Sequence, residues 1–245
     1  MRPAPQRTLI VMPAYNESQS VGQVVRETLS TLPDVDVLVV DDGSHDDTAD
    51  KAREAGALVA SLPFNLGVGG AMRVGFRYAA EHGYDAVVQI DADGQHDPAD
   101  VPRLLEDLAD TDIVIGARFA GAGEYRMRGP RRWASWVLAV TISRTARAKL
   151  TDTTSGFRAS GPRAIELFSR EYPAEYLGDT IESLVMACRA GLTVSQVPVA
   201  MRERAGGRPS HRPFKAALYL GRATLALAFA YARPRTPAAA SGSTS

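Results

Sequence analysis

A short acidic segment, Asp91-Ala92-Asp93-Gly94-Gln95-His96, has the residue types and spacing of a site for a divalent cation. It follows the apolar run 86–90, which the pattern predicts to be a buried strand bounded by turn residues. Two carboxylates at the end of a strand form a compact corner rich in oxygen ligands. Mg²⁺ and Mn²⁺ prefer such ligands and keep coordination positions free for substrate phosphates. We therefore expect Asp91 and Asp93 to hold a metal bound to a diphosphate.

The same segment also has a purely structural interpretation, an acidic turn that caps the helix after it. Asp97 suits the N-cap position of that helix, and Pro98 suits its first turn. Asp91 and Asp93 come too early in the chain to be the cap. Taken alone, the segment fits both interpretations. His96 is expected to line the site by hydrogen bonding rather than to bind the metal.

The elements that must position this segment alternate along the first 117 residues. Apolar patterns predict strands at 8–12, 36–41, 57–61, 86–91 and 112–117, and helices at 18–31, 47–55, 70–82 and 98–109. Such alternation predicts an α/β fold, with a mostly parallel sheet and helices on both faces. Ligands of such sheets bind beyond the carboxyl ends of the strands.

Two further polar motifs follow predicted strands, and a glycine-rich segment precedes a predicted helix. Pro13-Ala14-Tyr15-Asn16-Glu17 ends the first strand, Asp41-Asp42-Gly43-Ser44 ends the second, and the glycines lie in 65–71. Each polar motif could simply start a helix, but a shared sheet edge for all of them favours a binding crevice. The glycine spacing excludes a P-loop, and a dinucleotide fingerprint would have to follow the first strand.

Composition limits the class of protein. Of 245 residues, 28 are basic and 28 acidic, which argues against nucleic acid as a partner. An apolar content of 45% is ordinary for a globular protein. Cys188 is the single cysteine, which excludes an internal disulfide framework and fits a reducing compartment. No signal peptide is visible at the start of the sequence.

Together these motifs resemble family 2 glycosyltransferases, in the branch of dolichol- and polyprenyl-phosphate sugar transferases. The resemblance covers about residues 7–210. The matching segments are Pro13-Ala14-Tyr15-Asn16-Glu17, Asp41-Asp42-Gly43-Ser44, Asn65-x-Gly67-x-Gly69, Asp91-Ala92-Asp93-Gly94-Gln95-His96, Gly116-Ala117-Arg118, Asp152-x-Thr154-Ser155-Gly156-Phe157-Arg158 and Val197-Pro198-Val199.

The resemblance implies one nucleotide-diphospho-sugar transferase domain of the GT-A type, over residues 1–212. It implies transfer of a hexosyl group (mannose, glucose or N-acetylhexosamine) from a GDP- or UDP-sugar, with inversion at the anomeric carbon. It assigns Asp91, Asp93 and Gln95 to Mg²⁺ or Mn²⁺, and Asp93 also counts as catalytic. The residues that it assigns to the substrates on the donor side are Pro13, Ala14, Tyr15, Glu17, Asp42, Gly69, Ala71 and Ala92.

On the acceptor side the resemblance points to arginines. It assigns Arg118, Arg131 and Arg204 to catalysis through the acceptor phosphate, with Arg132 and Glu182 binding substrate. Arginine suits this role because it grips phosphate by bidentate, charge-assisted contacts. A lipid monophosphate is already anionic near neutral pH, so positioning and charge neutralisation would replace a general base. A second basic cluster, Arg202, Arg204 and Arg208, lies in an acceptor loop where Pro209 occupies the family's usual serine position.

Two other functions remain open at this point. A family 2 enzyme acting on a saccharide or small-molecule hydroxyl would need a general base, for which Asp152 and Asp179 are the candidates. A non-catalytic sensor of nucleotide sugars would be expected to have lost the metal corner, which is intact here.

The last part of the chain favours a surface location. Residues 216–232 are apolar apart from Arg222, too short and too interrupted for a span, so 213–233 is predicted to be an apolar helix on a membrane surface or a partner. Residues 234–245 are predicted to be disordered. We expect a peripheral enzyme of cell-envelope glycan biosynthesis on the cytoplasmic face of the membrane, where a small membrane protein could recruit it.

Overall fold

The computed structural model describes residues 5, 7–117, 150–173 and 179–203. Within this part of the chain, seven strands form one sheet. The strands are β1 (Thr8–Ala14), β2 (Val35–Asp41), β3 (Leu58–Ser61), β4 (Ala86–Gln89), β5 (Ile113–Ala117), β6 (Arg158–Ser160) and β7 (Val194–Pro198). The helices are α1 (Val21–Thr31), α2 (Thr48–Glu54), α3 (Gly67–Glu81), α4 (Val101–Asp107), α5 (Pro162–Arg170) and α6 (Asp179–Arg189), and a short 3₁₀ helix spans Pro98–Asp100.

The expected mostly parallel sheet is confirmed. The strand order is β3-β2-β1-β4-β6-β5-β7. Every neighbouring pair is parallel except the two pairs that involve β6, which runs antiparallel to both β4 and β5. The carboxyl ends of the parallel strands therefore share one edge of the sheet, and β6 starts at that same edge.

Alternate residues of the central strands pack on opposite faces of the sheet. Leu9 and Val11 join one buried cluster with helices α3, α5 and α6, whereas Ile10 and Met12 join the other with α1 and α4. This alternation follows from the two-residue period of a strand, and burial of both faces is expected when helices cover a parallel sheet. The core thus fixes the strand ends that carry the polar motifs.

Among the element boundaries that differ from the sequence prediction, two affect residues of the site. Helix α3 begins at Gly67 rather than at 70, because the Asp42 carboxylate accepts the N–H groups of Leu66 and Gly67. Strand β4 ends at Gln89 rather than at 91, so Asp91 lies in the loop. The predicted cap is confirmed: Asp97 accepts the N–H of Ala99 at 2.9 Å.

Several predictions concern residues that the structure does not describe. Arg118, Arg131, Arg132 and Arg204 lie outside the described residues, as do the surface helix at 213–233 and the tail at 234–245. The division of the chain at 212 and 233 remains a prediction. No helix in the described ranges is long and apolar enough to cross a membrane.

Candidate functional site

The loops after β1, β2 and β4 lie together at the carboxyl edge of the sheet. The N–H of Asp42 donates to the carbonyl of Ala14 at 2.8 Å, and the N–H of Ile90 donates to the carbonyl of Val11 at 3.1 Å. These bonds continue the strand pairing into the loops. The sheet therefore brings together the three polar motifs that the sequence pattern placed at strand ends.

Reciprocal hydrogen bonds join the loop after β1 to the loop after β2. The N–H of Asn16 donates to Ser44 Oγ at 2.9 Å, and the N–H of His45 donates to Asn16 Oδ1 at 2.8 Å. Next to them, the N–H of Glu17 donates to Thr48 Oγ1 at 2.9 Å. Backbone amides that would otherwise need water are satisfied by these side chains. The two loops are thus held as one rigid wall.

Asp46 completes the wall. Its Oδ1 accepts the N–H of Thr48 at 3.1 Å and also the Thr48 hydroxyl, while Oδ2 accepts the N–H of Ser18 at 3.3 Å. Burial alone would raise the pKa of Asp46, but the bonds from Thr48 and Ser18 outweigh it and hold the pKa below its usual value. This contribution to stability is present above the unfolded-state pKa and is lost as the pH falls through the lower folded-state pKa.

Replacing Asn16 by alanine is expected to cost about 2 kcal/mol of unfolding free energy. Asn16 has a φ of 55°, in the left-handed region that disfavours alanine, and its amide oxygen accepts a backbone N–H. Asn16→Gly loses the same hydrogen bond but not the backbone conformation, so it should be about 1 kcal/mol more stable than Asn16→Ala. Urea denaturation of both variants checks that the glycine variant is the more stable of the two. An alanine variant as stable as the glycine variant would contradict this prediction.

The residues predicted to meet the donor have different surroundings. Tyr15 is 41% exposed, with its ring edge-on to His45 at 6.4 Å between centroids, and Glu17 Oε2 accepts the Ser20 hydroxyl at 3.0 Å. Pro13 is half-buried, and Ala14 is buried. Tyr15, Pro13 and Glu17 therefore keep surface at the crevice, whereas Ala14 contributes its backbone.

Asp42 is almost completely buried and supports the start of α3. Its Oδ1 accepts the N–H of Leu66 at 2.7 Å, and its Oδ2 accepts the N–H of Gly67 at 2.8 Å. Burial raises the pKa of the Asp42 carboxyl, and the two amide bonds offset part of that rise. The sequence motif predicted a ligand contact here and did not reveal this helix-capping role. The fixed carboxylate still has lone pairs for a further donor.

The glycine-rich segment packs closely behind Asp42. Gly43 has a φ of 73°, and a Cβ there would lie 2.7 Å from the carbonyl carbon of Phe64. Gly69 is buried, and Ala71 has no exposed surface and packs in the core. The Ala71 side chain could therefore meet a substrate only if α3 moved.

The acidic segment forms a tight turn after β4. Asp91 is 41% exposed at the crevice, whereas Asp93 is 5% exposed and its Oδ1 accepts the N–H of Gln95 at 3.0 Å. Gly94 has a φ of 79°, which the turn requires. Ala92 is buried, so its methyl group supports the turn rather than facing the crevice.

The oxygen ligands of this turn fit a hard divalent cation. Asp91 and Asp93 supply carboxylates and Gln95 is half-buried beside them. Among the described residues no group of three or more His, Cys, Asp or Glu side chains could hold a metal ion. Two carboxylates with substrate phosphates and water completing the shell is the usual arrangement for Mg²⁺. The donor set therefore suits a metal that binds together with a phosphorylated substrate.

His96 hydrogen-bonds within the acidic turn, as expected, but its ring is buried rather than exposed at the crevice. Its ring is 3% exposed and stacks on Phe157 at 4.9 Å between centroids with 13° between planes. Its Nδ1 accepts the N–H of Asp91 at 3.1 Å. The sequence does not predict this stacking, although Phe157 belongs to the family motif 152–158.

The acceptor side is described only in part. Asp152 is buried, and its Oδ1 accepts the N–H of Thr154 at 3.2 Å and the Thr154 hydroxyl at 3.0 Å. Glu182 is buried in α6, which begins at Asp179. Asp152 therefore stabilises a turn before β6, and Glu182 lies on α6, the second helix after that turn.

Arg202 corrects one prediction. The sequence grouped it with Arg204 and Arg208 as a basic cluster for phosphate, but its guanidinium pairs with Glu27 at 2.5 Å and with Asp97 at 2.7 Å. The hydrogen bond to Glu27, more than that to Asp97, raises the pKa of Arg202. Arg202 thus ties the segment after β7 to α1 and to the 3₁₀ helix.

Comparisons with known proteins show what the chain is similar to. Residues 9–168 match the family described as "Glycosyl transferase family 2". The chain is 35% identical over 207 residues to an undecaprenyl-phosphate mannosyltransferase of Micrococcus luteus, covering 81% of this chain and 84% of the relative. It is 33% identical over 216 residues to a polyprenol monophosphomannose synthase of Mycolicibacterium smegmatis, and the match covers 81% of this chain and 78% of that relative.

A solved structure has the same fold. It is glucosyl-3-phosphoglycerate synthase from Mycobacterium tuberculosis in complex with Mn²⁺, uridine-diphosphate and phosphoglyceric acid. Its TM-score against this chain is 0.68, with 25% sequence identity, over 94% of this chain and 80% of that chain.

Proposed function

The chain belongs to glycosyl transferase family 2, and we propose that it transfers a hexosyl group from a nucleotide-diphospho-sugar to a polyprenyl monophosphate. The observation that carries this proposal is the pairing of Asp91 and Asp93 in one turn beside the wall formed by the loops after β1 and β2. The names of the two bacterial relatives support the polyprenyl-phosphate acceptor.

On the donor side, Asp91, Asp93 and Gln95 would bind a divalent cation together with the diphosphate. When bound, such a cation stabilises the negative charge that develops on the departing diphosphate. Asp93 is preorganised for this role, because the N–H of Gln95 fixes one of its oxygens at 3.0 Å. The rigid wall of Asn16, Ser44 and His45 would hold the nucleoside end of the donor in one orientation.

On the acceptor side, Arg118, Arg131, Arg132 and Arg204 are proposed to bind the lipid phosphate, and Glu182 to line the same site. The phosphate oxygen is already anionic, so it can displace the diphosphate directly and invert the anomeric carbon. Arg202 is excluded from this set because Glu27 and Asp97 already neutralise it.

A hydroxyl acceptor is the second candidate, and the likeness to a solved enzyme bound to phosphoglyceric acid favours it. Such an acceptor needs a general base. Asp152 is poorly suited because its carboxylate is buried and accepts two bonds from Thr154. Asp179, at the start of α6, is the remaining candidate for this reaction.

One assay distinguishes these acceptors. The full chain is incubated with Mg²⁺ or Mn²⁺ and a panel of radiolabelled GDP- and UDP-sugars, together with two acceptors: polyprenyl phosphate in phospholipid vesicles and phosphoglyceric acid in solution. Label in the organic phase is expected, and sedimentation of the protein with the vesicles would support a peripheral location. Label transferred only to phosphoglyceric acid would support the second candidate. No labelled lipid with any donor would contradict the proposed function.

A further inference from the structure

We propose that Gln89 and His96 are positioning residues that orient the Asp91 carboxylate for the metal. Segment 153–158 supports both side chains by packing against them. The inference rests on the proposed function, because it concerns the metal of that same site. It gives a structural role to Gly156, Phe157 and Arg158 of the family motif Asp152-x-Thr154-Ser155-Gly156-Phe157-Arg158.

Gln89 holds one oxygen of Asp91. It is the last residue of β4, its side chain is largely buried, and its Nε2 donates to Asp91 Oδ1 at 3.0 Å. Its Cα pairs with that of Arg158 on the antiparallel strand β6. Gln89 is therefore fixed by the sheet, and its amide presents a donor to the carboxylate from a constant direction.

His96 holds the backbone of Asp91 and approaches its other oxygen. Because Nδ1 accepts the N–H of Asp91, a neutral ring carries its proton on Nε2. That Nε2 lies 3.8 Å from Asp91 Oδ2. The stack on Phe157 prevents the buried ring from turning away. The two side chains thus approach different oxygens of one carboxylate, and the 41% exposed surface of Asp91 faces the crevice.

Segment 153–158 leaves room for this arrangement and keeps it in place. A Cβ at Gly156 would lie 2.9 Å from Gln89 Nε2 and 3.6 Å from both carboxylate oxygens of Asp91. The next residue, Phe157, supplies the face on which His96 stacks. Arg158 anchors the turn by donating to the carbonyls of Thr153 and Ser155, each at 2.8 Å. A side chain at position 156 would therefore push the Gln89 amide away from Asp91.

Groups that hydrogen-bond a metal ligand orient it before the metal arrives, and their loss usually lowers metal affinity or activity 10–100-fold. The same loss is expected here for Gln89→Leu, His96→Phe and Gly156→Ala. The phenylalanine keeps the stack on Phe157 and removes both ring nitrogens. The alanine adds only a methyl group, which would displace the Gln89 amide from its bond with Asp91.

The test measures Mn²⁺ affinity of the full chain by electron paramagnetic resonance, with GDP and with UDP, and separately measures turnover against Mn²⁺ concentration. Each of the three variants should bind Mn²⁺ at least about 10-fold more weakly, and saturating Mn²⁺ should restore most of the turnover. The matched controls Gln23→Leu, His82→Phe and Gly22→Ala should bind Mn²⁺ like the wild type, because Gln23 and His82 are exposed and a Cβ at Gly22 has no contact under 3.4 Å.

Unchanged Mn²⁺ affinity in folded variants would overturn the inference while leaving the proposed function standing. A wild-type chain that binds no Mn²⁺ with either nucleotide would overturn the metal in the proposed function and this inference with it. Circular dichroism establishes folding. If His96→Phe or Gln89→Leu does not fold, His96→Asn and Gln89→Asn replace them, and the same direction of change is required.

Discussion

Replacing Asp93 by alanine is expected to lower sugar transfer by at least about 10²–10³-fold while leaving the fold intact. The Asp93 carboxylate is 5% exposed, and the Gln95 N–H fixes one of its oxygens. Its removal takes away half of the carboxylate pair that would hold the cation against the diphosphate. The measurement is label transferred to polyprenyl phosphate per unit time, with Mg²⁺ or Mn²⁺ in excess.

Two comparisons make the Asp93 result specific. Asp93→Asn keeps the shape of the side chain and an acceptor for the Gln95 N–H, so it should lose activity with little change in melting temperature. Asp110→Asn, an exposed carboxyl after α4, should transfer sugar at the wild-type rate. Chelation of the metal should inactivate the wild type, and turnover retained in Asp93→Ala would overturn the metal assignment.

Replacing Arg158 by methionine is expected to lower the free energy of unfolding by about 3 kcal/mol. The guanidinium is buried and donates to the carbonyls of Thr153, Ser155 and Thr180, each at 2.8 Å, and to Ser183 Oγ at 3.3 Å. Methionine fills much of the space but leaves these carbonyls without their charged donor. A chain of this size should then melt roughly 6–12 °C lower.

Urea denaturation and thermal melting both check the Arg158 prediction. Arg77→Met is the matched control, because Arg77 is largely exposed and its contact with Glu81 is 3.8 Å long. That change should stay within about 0.5 kcal/mol of the wild type. The Arg158→Lys variant retains the charge but not the planar guanidinium, so its free energy of unfolding should lie between those of Arg158→Met and Arg77→Met. An Arg158→Met variant as stable as the control would show that the anchored turn contributes little.

The sequence predicted the site where local patterns carry the information. The loops after β1, β2 and β4 could be placed at one edge because strand periodicity and parallel topology together dictate it. The roles of Asp42 and Arg202 could not be predicted. Asp42 faces amides of a loop after the next strand, and Arg202 faces Glu27 on the first helix. Neither contact follows from spacing, because each depends on how distant elements pack.

Strand β6 could not be predicted from the sequence either. It is only three residues long (Arg158–Ser160), which is too short for a periodic pattern to indicate a strand, and its direction is set by its neighbours β4 and β5. Consequently the contacts of Gly156 with Gln89 and of Phe157 with His96 could not be predicted from the sequence. The family motif marked those residues, and the antiparallel pairing explains where they lie.

The reversed direction of β6 also has a consequence for the segment of chain between β5 and β6. Strand β5 ends at the carboxyl edge and β6 begins there, with the Gly116 N–H donating to the Phe157 carbonyl at 2.8 Å. The chain between them leaves and re-enters the sheet at one point, and it contains Arg118, Arg131 and Arg132. Because both ends of this segment meet at one point of the sheet, a change in its length need not alter the pairing of β5 with β6.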